Sequence, residues 1–199
     1  MTKVYFVRHA QPEHDHADDR TRPLTAEGMA DAKLVLETLK DKQIEVFYCS
    51  PYKRSLSTIQ ETADFYGMTI HTDERLRERV KGADGNNHGM FRKRWEDLDY
   101  HEDGGESIHM VQERNIEALQ EIVAANSGKN IVIGTHGTAL SSIMNYFNPN
   151  FGCADFLRII DWMPYIVELD FEGMSLVEIT EHAHIEKEFK GKERADKKA

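Results

Sequence analysis

Val4-Tyr5-Phe6-Val7-Arg8-His9-Ala10 is the stretch whose reading decides the fold. Four consecutive apolar residues predict a strand buried on both faces, the mark of a parallel sheet covered by helices. A cation and an imidazole leave the end of that strand together, where open α/β sheets place their chemistry. A neutral imidazole is a competent nucleophile. The adjacent guanidinium disfavours the imidazolium and offers a planar donor fork to an oxyanion. An isolated Arg-His pair is more often an ordinary surface feature, so its companions decide.

Working outward, strand-like and helix-like periods alternate. Residues 25–39 carry Met29, Ala32, Val35, Leu36 and Leu39 at helical spacing behind the cap Thr25, and 46–49 form a second strand broken by Ser50-Pro51. Residues 55–66 read as a helix stopped at Gly67, and 68–71 as a short strand. Ser107 caps an amphipathic helix over 107–125, Asn130 opens an apolar strand to Gly134, and 138–147 and 155–161 are helical. Residues 165–170 and 176–180 predict a hairpin around Glu172-Gly173. Two segments stand apart. Residues 79–105, rich in glycine and charge, suit either a lid or specificity loop or a mobile excursion. The acid and lysine mixture near the end predicts a domain over 1–182 and a charged, solvated tail over 183–199.

The chain has 199 residues, 40% hydrophobic and 30% charged, enough for one sizeable core. A formal net charge of −10 argues against nucleic acid or an anionic membrane as partner, because both need a basic face. A phosphorylated ligand then requires a local cationic pocket. Two cysteines, Cys49 and Cys153, and no long apolar N-terminal stretch predict a reduced, cytoplasmic setting, with Cys49 as a core residue.

Four strand or turn ends carry the chemistry: Arg8-His9; Ser50-Pro51-Tyr52-Lys53-Arg54; Leu76-Arg77-Glu78; and Thr135-His136-Gly137. Together they offer two guanidiniums, two imidazoles and a carboxylate, the set that phosphoryl transfer without a metal requires. Cations hold the phosphoryl oxygens, one imidazole attacks and the carboxyl protonates the departing oxygen. Gly137 opens a helix whose free N–H groups form an anion site. Each residue also has a structural role open to it: Arg54 pairing with Glu61, Glu78 in a solvated cluster with Glu74, Arg75, Arg77 and Arg79, His136 as a satisfied strand-end histidine, and Glu106-Ser107 as a helix start.

Val7-Arg8-His9-Ala10-Gln11, Pro23-Leu24-Thr25 with Gly28, Cys49-Ser50-Pro51 with Arg54 and Thr58, Leu76-Arg77-Glu78 and Thr135-His136-Gly137 occur in one order. In that order they resemble the histidine phosphatase superfamily, or phosphoglycerate mutase-like group, from Lys3 to about Thr180. The resemblance implies a three-layer α/β/α sandwich with a mostly parallel sheet, phosphorylation of His9, phosphate binding by Arg8, Arg54 and His136, and Glu78 as acid and base. Two departures bear on the site. Pro12 and Asp15 stand where members often have Thr and Asn, so either Asp15 points away from phosphate or the substrate is held differently. Residues 80–91 also lack the Phe-Gly-x-Trp-Glu-Gly that often follows the acid.

Competing readings remain. His14-Asp15-His16-Ala17-Asp18-Asp19 is one residue short of the His-x-His-x-Asp-His that opens dinuclear zinc sites of the metallo-β-lactamase type, and it lies in a polar loop rather than at a strand end. A phosphoglycerate mutase would use the same His9 and Glu78, and a silent phosphate- or phosphoprotein-binding module would need only the arginines. The short frame and the full set of nucleophile, acid and second histidine favour a metal-independent, cofactor-free phosphomonoesterase acting on a phosphorylated small molecule.

Overall fold

The computed structural model describes residues 1–83 and 88–188. Positions 84–87 of the glycine-rich stretch and 189–199 of the tail lie outside the described residues.

Alternation along the first strand sets the layers. In β1 (Thr2–Arg8), Val4 and Phe6 point to one side and Tyr5 and Val7 to the other, as the two-residue period of a strand requires, and all four are buried. β4 (Asn130–Thr135) pairs with β1 in parallel, β2 (Val46–Cys49) with β4, and β3 (Ile70–Thr72) with β2; β5 (Trp162–Glu172) adds antiparallel to β1 and β6 (Ser175–Glu186) to β5. The sheet order is therefore β3-β2-β4-β1-β5-β6. Tyr5, Val7, Phe47 and Val132 pack with Val35 and Leu39 of α2 (Lys33–Leu39) and Ile59 and Ala63 of α3 (Lys53–Phe65). On the other face Val4, Phe6, Ile131 and Ile133 share a core with α5 (Ile108–Ala125), α6 (Gly137–Phe147) and α7 (Cys153–Ile159). This is the expected three-layer α/β/α sandwich. Among the described residues no helix is long and apolar enough to cross a membrane.

Several local expectations need correction. The helix expected over 25–39 is two helices, α1 (Ala26–Asp31) and α2, because the chain tightens at Ala32, where Val35 N–H bonds the Ala32 carbonyl three residues back. The hairpin is much longer than 165–180. β6 continues to Glu186, past the 182/183 boundary assigned to the tail, and Lys187 beyond it pairs with Glu27 and Asp31. Nor are the described residues of 79–105 a simple excursion. They contain α4 (Phe91–Glu96), whose Trp95 packs on Phe151 and Phe156, and Glu102 is buried between Arg79 and Arg94.

Thr25 caps α1 as expected, accepting from Gly28 N–H at 2.8 Å. Gly28 also permits a close approach that fixes the chain leaving β1: a Cβ there would sit 2.2 Å from the Gln11 carbonyl oxygen. Intrinsic helix propensity favours Gly28→Ala by about 1 kcal/mol. Backbone overlap should reverse the sign. Urea unfolding of Gly28→Ala is expected to show a net loss of about 1–3 kcal/mol; a gain in stability would contradict this account of the 11–28 contact.

Candidate active site

Register brings the motif ends to one rim. Arg8 of β1 lies opposite Thr135 of β4, and Cys49 of β2 opposite Gly134, so Arg8, His9, Ser50 and His136 all emerge at the carboxyl edge of the parallel strands. His9 N–H bonds the Thr135 carbonyl at 3.2 Å, and Ser50 N–H the Gly134 carbonyl at 3.0 Å. The His9 and His136 rings meet edge to face with centroids 5.3 Å apart. Burial is nearly complete: Arg8 is 7% exposed, His9 6%, Arg54 3% and His136 0%.

A buried cation must find acceptors. Arg8 donates from Nη1 to the Ile159 carbonyl at 2.5 Å and from Nη2 to the Ile160 carbonyl at 2.8 Å, the electronegative end of α7. Burial pulls its pKa down to about 10, which leaves it charged at neutral pH, with Glu78 acting in the opposite sense. Arg54 Nη1 donates to the Asp19 carbonyl at 2.6 Å and to its carboxylate at 3.2 Å, and the guanidinium lies 5.0 Å from the Tyr52 ring centroid. Asp19 also pairs with Arg22 at 2.6 Å. Arg54 therefore bonds Asp19 across the site rather than Glu61 on its own helix.

The imidazoles take the opposite course and stay neutral. Burial first, then the charges of Arg54 and Arg8, holds His9 well below the usual histidine range. Its Nδ1 lies 2.8 Å from the Ala10 carbonyl oxygen. That oxygen can only accept, so Nδ1 carries the proton and Nε2 keeps its lone pair. Ala10 N–H is held by Thr58 Oγ1 at 3.0 Å, and that hydroxyl donates to the Arg54 carbonyl at 2.7 Å, tying the nucleophile's turn to α3. His136 is likewise lowered by burial, Arg54 and His9; its Nε2 is 2.7 Å from Ser50 Oγ. Among the described residues, Arg8 Nε and His136 Nδ1 are buried polar atoms with no partner.

Glu78 completes the group in a way the sequence does not announce. Its carboxylate accepts from the backbone N–H groups of Thr138 at 3.0 Å, Ala139 at 3.1 Å and Arg79 at 2.8 Å. The α6 N–H groups of Thr138 and Ala139, expected to bind phosphate, are thus engaged by Glu78. A Cβ on Gly137 would lie 3.3 Å from the Arg8 guanidinium, so glycine also lets α6 start against that plane. Among the described residues, Glu78 joins none of the neighbouring ion pairs. Glu74 pairs with Arg20, Arg75 with Asp73, Glu117 and Glu121, Arg77 with Glu106, and Arg79 with Glu102.

Asp15 is exposed, and it is Asp19 that meets Arg54. Two other residues of the zinc-like motif bond within their own loop: Asp18 accepts from Arg20 N–H and Thr21 Oγ1, and His16 Nε2 lies 3.1 Å from Thr21 Oγ1. His14 is lowered by burial and by Arg22, Lys81 and Arg54, so it stands near the same cations. Sequence reasoning missed Asp19 as the Arg54 partner, and Arg22 and Arg114 altogether. An arginine three residues from Asp19 is the one signal for the first pair; Arg114 looks like any charged helix position.

Residues 4–182 match the histidine phosphatase superfamily (branch 1). Phosphoserine phosphatase 1 of Hydrogenobacter thermophilus is 25% identical over 157 residues, covering 68% of this chain and 71% of that protein. The 2,3-bisphosphoglycerate-dependent phosphoglycerate mutase of Thermoplasma acidophilum is 31% identical over 135 residues, 62% of each. Among solved structures, a phosphoserine phosphatase from Entamoeba histolytica in complex with 3-phosphoglyceric acid superimposes with a TM-score of 0.75 at 22% identity, covering 92% of this chain and 98% of that one, a likeness of fold. With its motif ends gathered on one rim and its family matched over nearly the whole described chain, this protein belongs to the histidine phosphatase superfamily.

Proposed function

We propose that this protein is a phosphomonoesterase that hydrolyses a phosphorylated small molecule through a phosphohistidine on His9, with Glu78 as general acid and base and no metal in either step. The observation that carries the reading is the setting of His9: buried beside two buried guanidiniums, with Nδ1 2.8 Å from the Ala10 carbonyl oxygen, which favours a neutral ring that keeps its lone pair on Nε2. In the first step Nε2 attacks phosphorus and the ester P–O bond breaks. Arg8, Arg54 and His136 hold the non-bridging oxygens, and Arg8 Nε and His136 Nδ1, without a partner among the described residues, suit that task. Protonated Glu78 gives its proton to the departing alkoxide. In the second step the Glu78 carboxylate takes a proton from water, the water oxygen attacks phosphorus, and the N–P bond breaks to restore neutral His9 and release phosphate. Three N–H donors around Glu78 suit the carboxylate that this second step uses.

The names of the relatives, phosphoserine phosphatase and phosphoglycerate mutase, favour a phosphorylated small molecule as substrate. The free, buried Cys49, its thiol pushed up to about 12 by burial, fits a reduced, cytoplasmic setting. The similarity to a mutase supports a second reading, in which the phosphohistidine returns its group to a sugar acid.

Two experiments test the assignment. Acid-labile, base-stable label from a radioactive phosphate ester should appear on the wild-type protein and be absent in His9→Ala, with phosphate release far exceeding interconversion of the two phosphoglycerates. Full turnover by His9→Ala would refute the mechanism, and efficient interconversion would establish the mutase. For Glu78, a general acid contributes about a hundredfold to ten-thousandfold, and most where the leaving oxygen is basic. Glu78→Gln should therefore lose far more phosphorylation rate, read in single turnovers, on an alkyl phosphate than on p-nitrophenyl phosphate. Equal losses on the two esters would remove Glu78 from the role of leaving-group acid.

A further inference from the structure

A guanidinium carries five N–H donors in one plane, and Arg114 in α5 makes five hydrogen bonds with them. Nε and Nη2 donate to the two Glu106 carboxylate oxygens at 3.0 Å each; Nη1 donates to the backbone carbonyls of Arg75 at 2.6 Å and Arg77 at 2.7 Å; and Nη2 also donates to the carbonyl of Glu78 at 3.1 Å. Glu106 holds the far side of the same segment. It accepts from Val80 N–H at 2.8 Å and from Arg77 Nη2 at 2.9 Å. Both side chains are 14% exposed. Burial alone would raise the Glu106 carboxyl, but Arg114, the Val80 N–H and Arg77 outweigh it and hold it below the ordinary glutamate range.

The chain from Arg77 to Val80 follows a single 3₁₀ turn, Glu74–Leu76, and enters no helix or strand, so no ladder of its own fixes where Glu78 points. Its backbone is fastened to α5 from one side while its side chain reaches α6 on the other. We propose that Arg114, with Glu106, is a positioning residue for Glu78: the pair locks the backbone that carries the carboxyl, so that the carboxyl stays at the start of α6 beside Arg8 and Arg54. The catalytic consequence rests on the reading of Glu78 as acid and base. Lysine cannot substitute, because a single ammonium cannot reach three carbonyls and two carboxylate oxygens held in a planar fan. A displacement of about 1 Å in a reacting group costs on the order of a hundredfold.

The test compares wild type, Arg114→Lys, Glu78→Gln and the double variant, with Glu106→Gln as a second way to weaken the clamp if Arg114→Lys folds poorly. Two readouts are taken: single-turnover phosphorylation by an alkyl phosphate and by p-nitrophenyl phosphate, and amide hydrogen exchange at Thr138 and Ala139, whose N–H groups Glu78 holds. Arg114→Lys is expected to lose roughly tenfold to a hundredfold on the alkyl ester. It should lose only a few-fold on p-nitrophenyl phosphate, leave inhibition by inorganic phosphate unchanged, and speed exchange at both amides. Added to Glu78→Gln it should cost little more, because the group it positions is already gone. Equal loss on both esters with unchanged exchange at 138 and 139 would overturn the proposal and leave Arg114 a stabilising residue only. Faster exchange in Arg114→Lys combined with no leaving-group dependence in Glu78→Gln would uphold the positioning and refute the acid role of Glu78 instead.

Discussion

Two guanidiniums buried beside two imidazoles form the constraint on which the site depends. A desolvated cation without acceptors is not tolerated in a folded chain. Arg8 finds the carbonyls at the end of α7, and Arg54 finds Asp19 in the loop between β1 and α1. Those bonds settle where α7 and that loop lie relative to the sheet edge. The neighbouring imidazoles follow: burial first, and then these positive charges, hold His9 and His136 well below the usual histidine range. The nucleophile is thus prepared by burial and by charge, and its tautomer by one carbonyl, that of Ala10.

Helix ends of opposite polarity frame the site. The carbonyls closing α7 take the cation Arg8, while the N–H groups opening α6 take the anion Glu78, each end meeting the charge its dipole favours. Gly137 brings the two together by letting α6 begin against the Arg8 plane. Glu78 and the guanidiniums interact across this space, since its charge opposes the lowering that burial imposes on both Arg8 and Arg54. The Arg114–Glu106 clamp explains how a residue outside any regular element keeps this place.

Much of this was legible in the sequence for a simple reason: apolar runs that end in charged residues mark both a buried strand and its exit. β1, β2 and β4 are of that kind, so Arg8, His9, Arg54 and His136 stood out, as did the caps Thr25 and Ser107. The docking of Glu78 on α6 was not legible, because its partners lie 60 and 61 positions away and are backbone groups, which carry no sequence signature. α4 was hidden because Arg92, Lys93, Arg94 and Glu96 surround Phe91 and Trp95, and Arg94 is buried with its guanidinium bonded to Glu102. Pro164 inside β5 masked the start of the long hairpin, since proline argues against a strand interior, and the polar residues of edge strand β6 obscured its end.

The central claim is that this fold holds His9 as a neutral Nδ1–H imidazole at the pH where an ordinary histidine titrates. Nitrogen-15 and carbon-13 spectra of labelled protein, recorded from pH 8 down to about pH 5 and assigned with His9→Gln, read charge and tautomer directly. The account predicts the neutral Nδ1–H form throughout, with no titration of His9 near the usual value of about 6.5. A His9 that becomes an imidazolium near that value, or that carries its proton on Nε2, would contradict it.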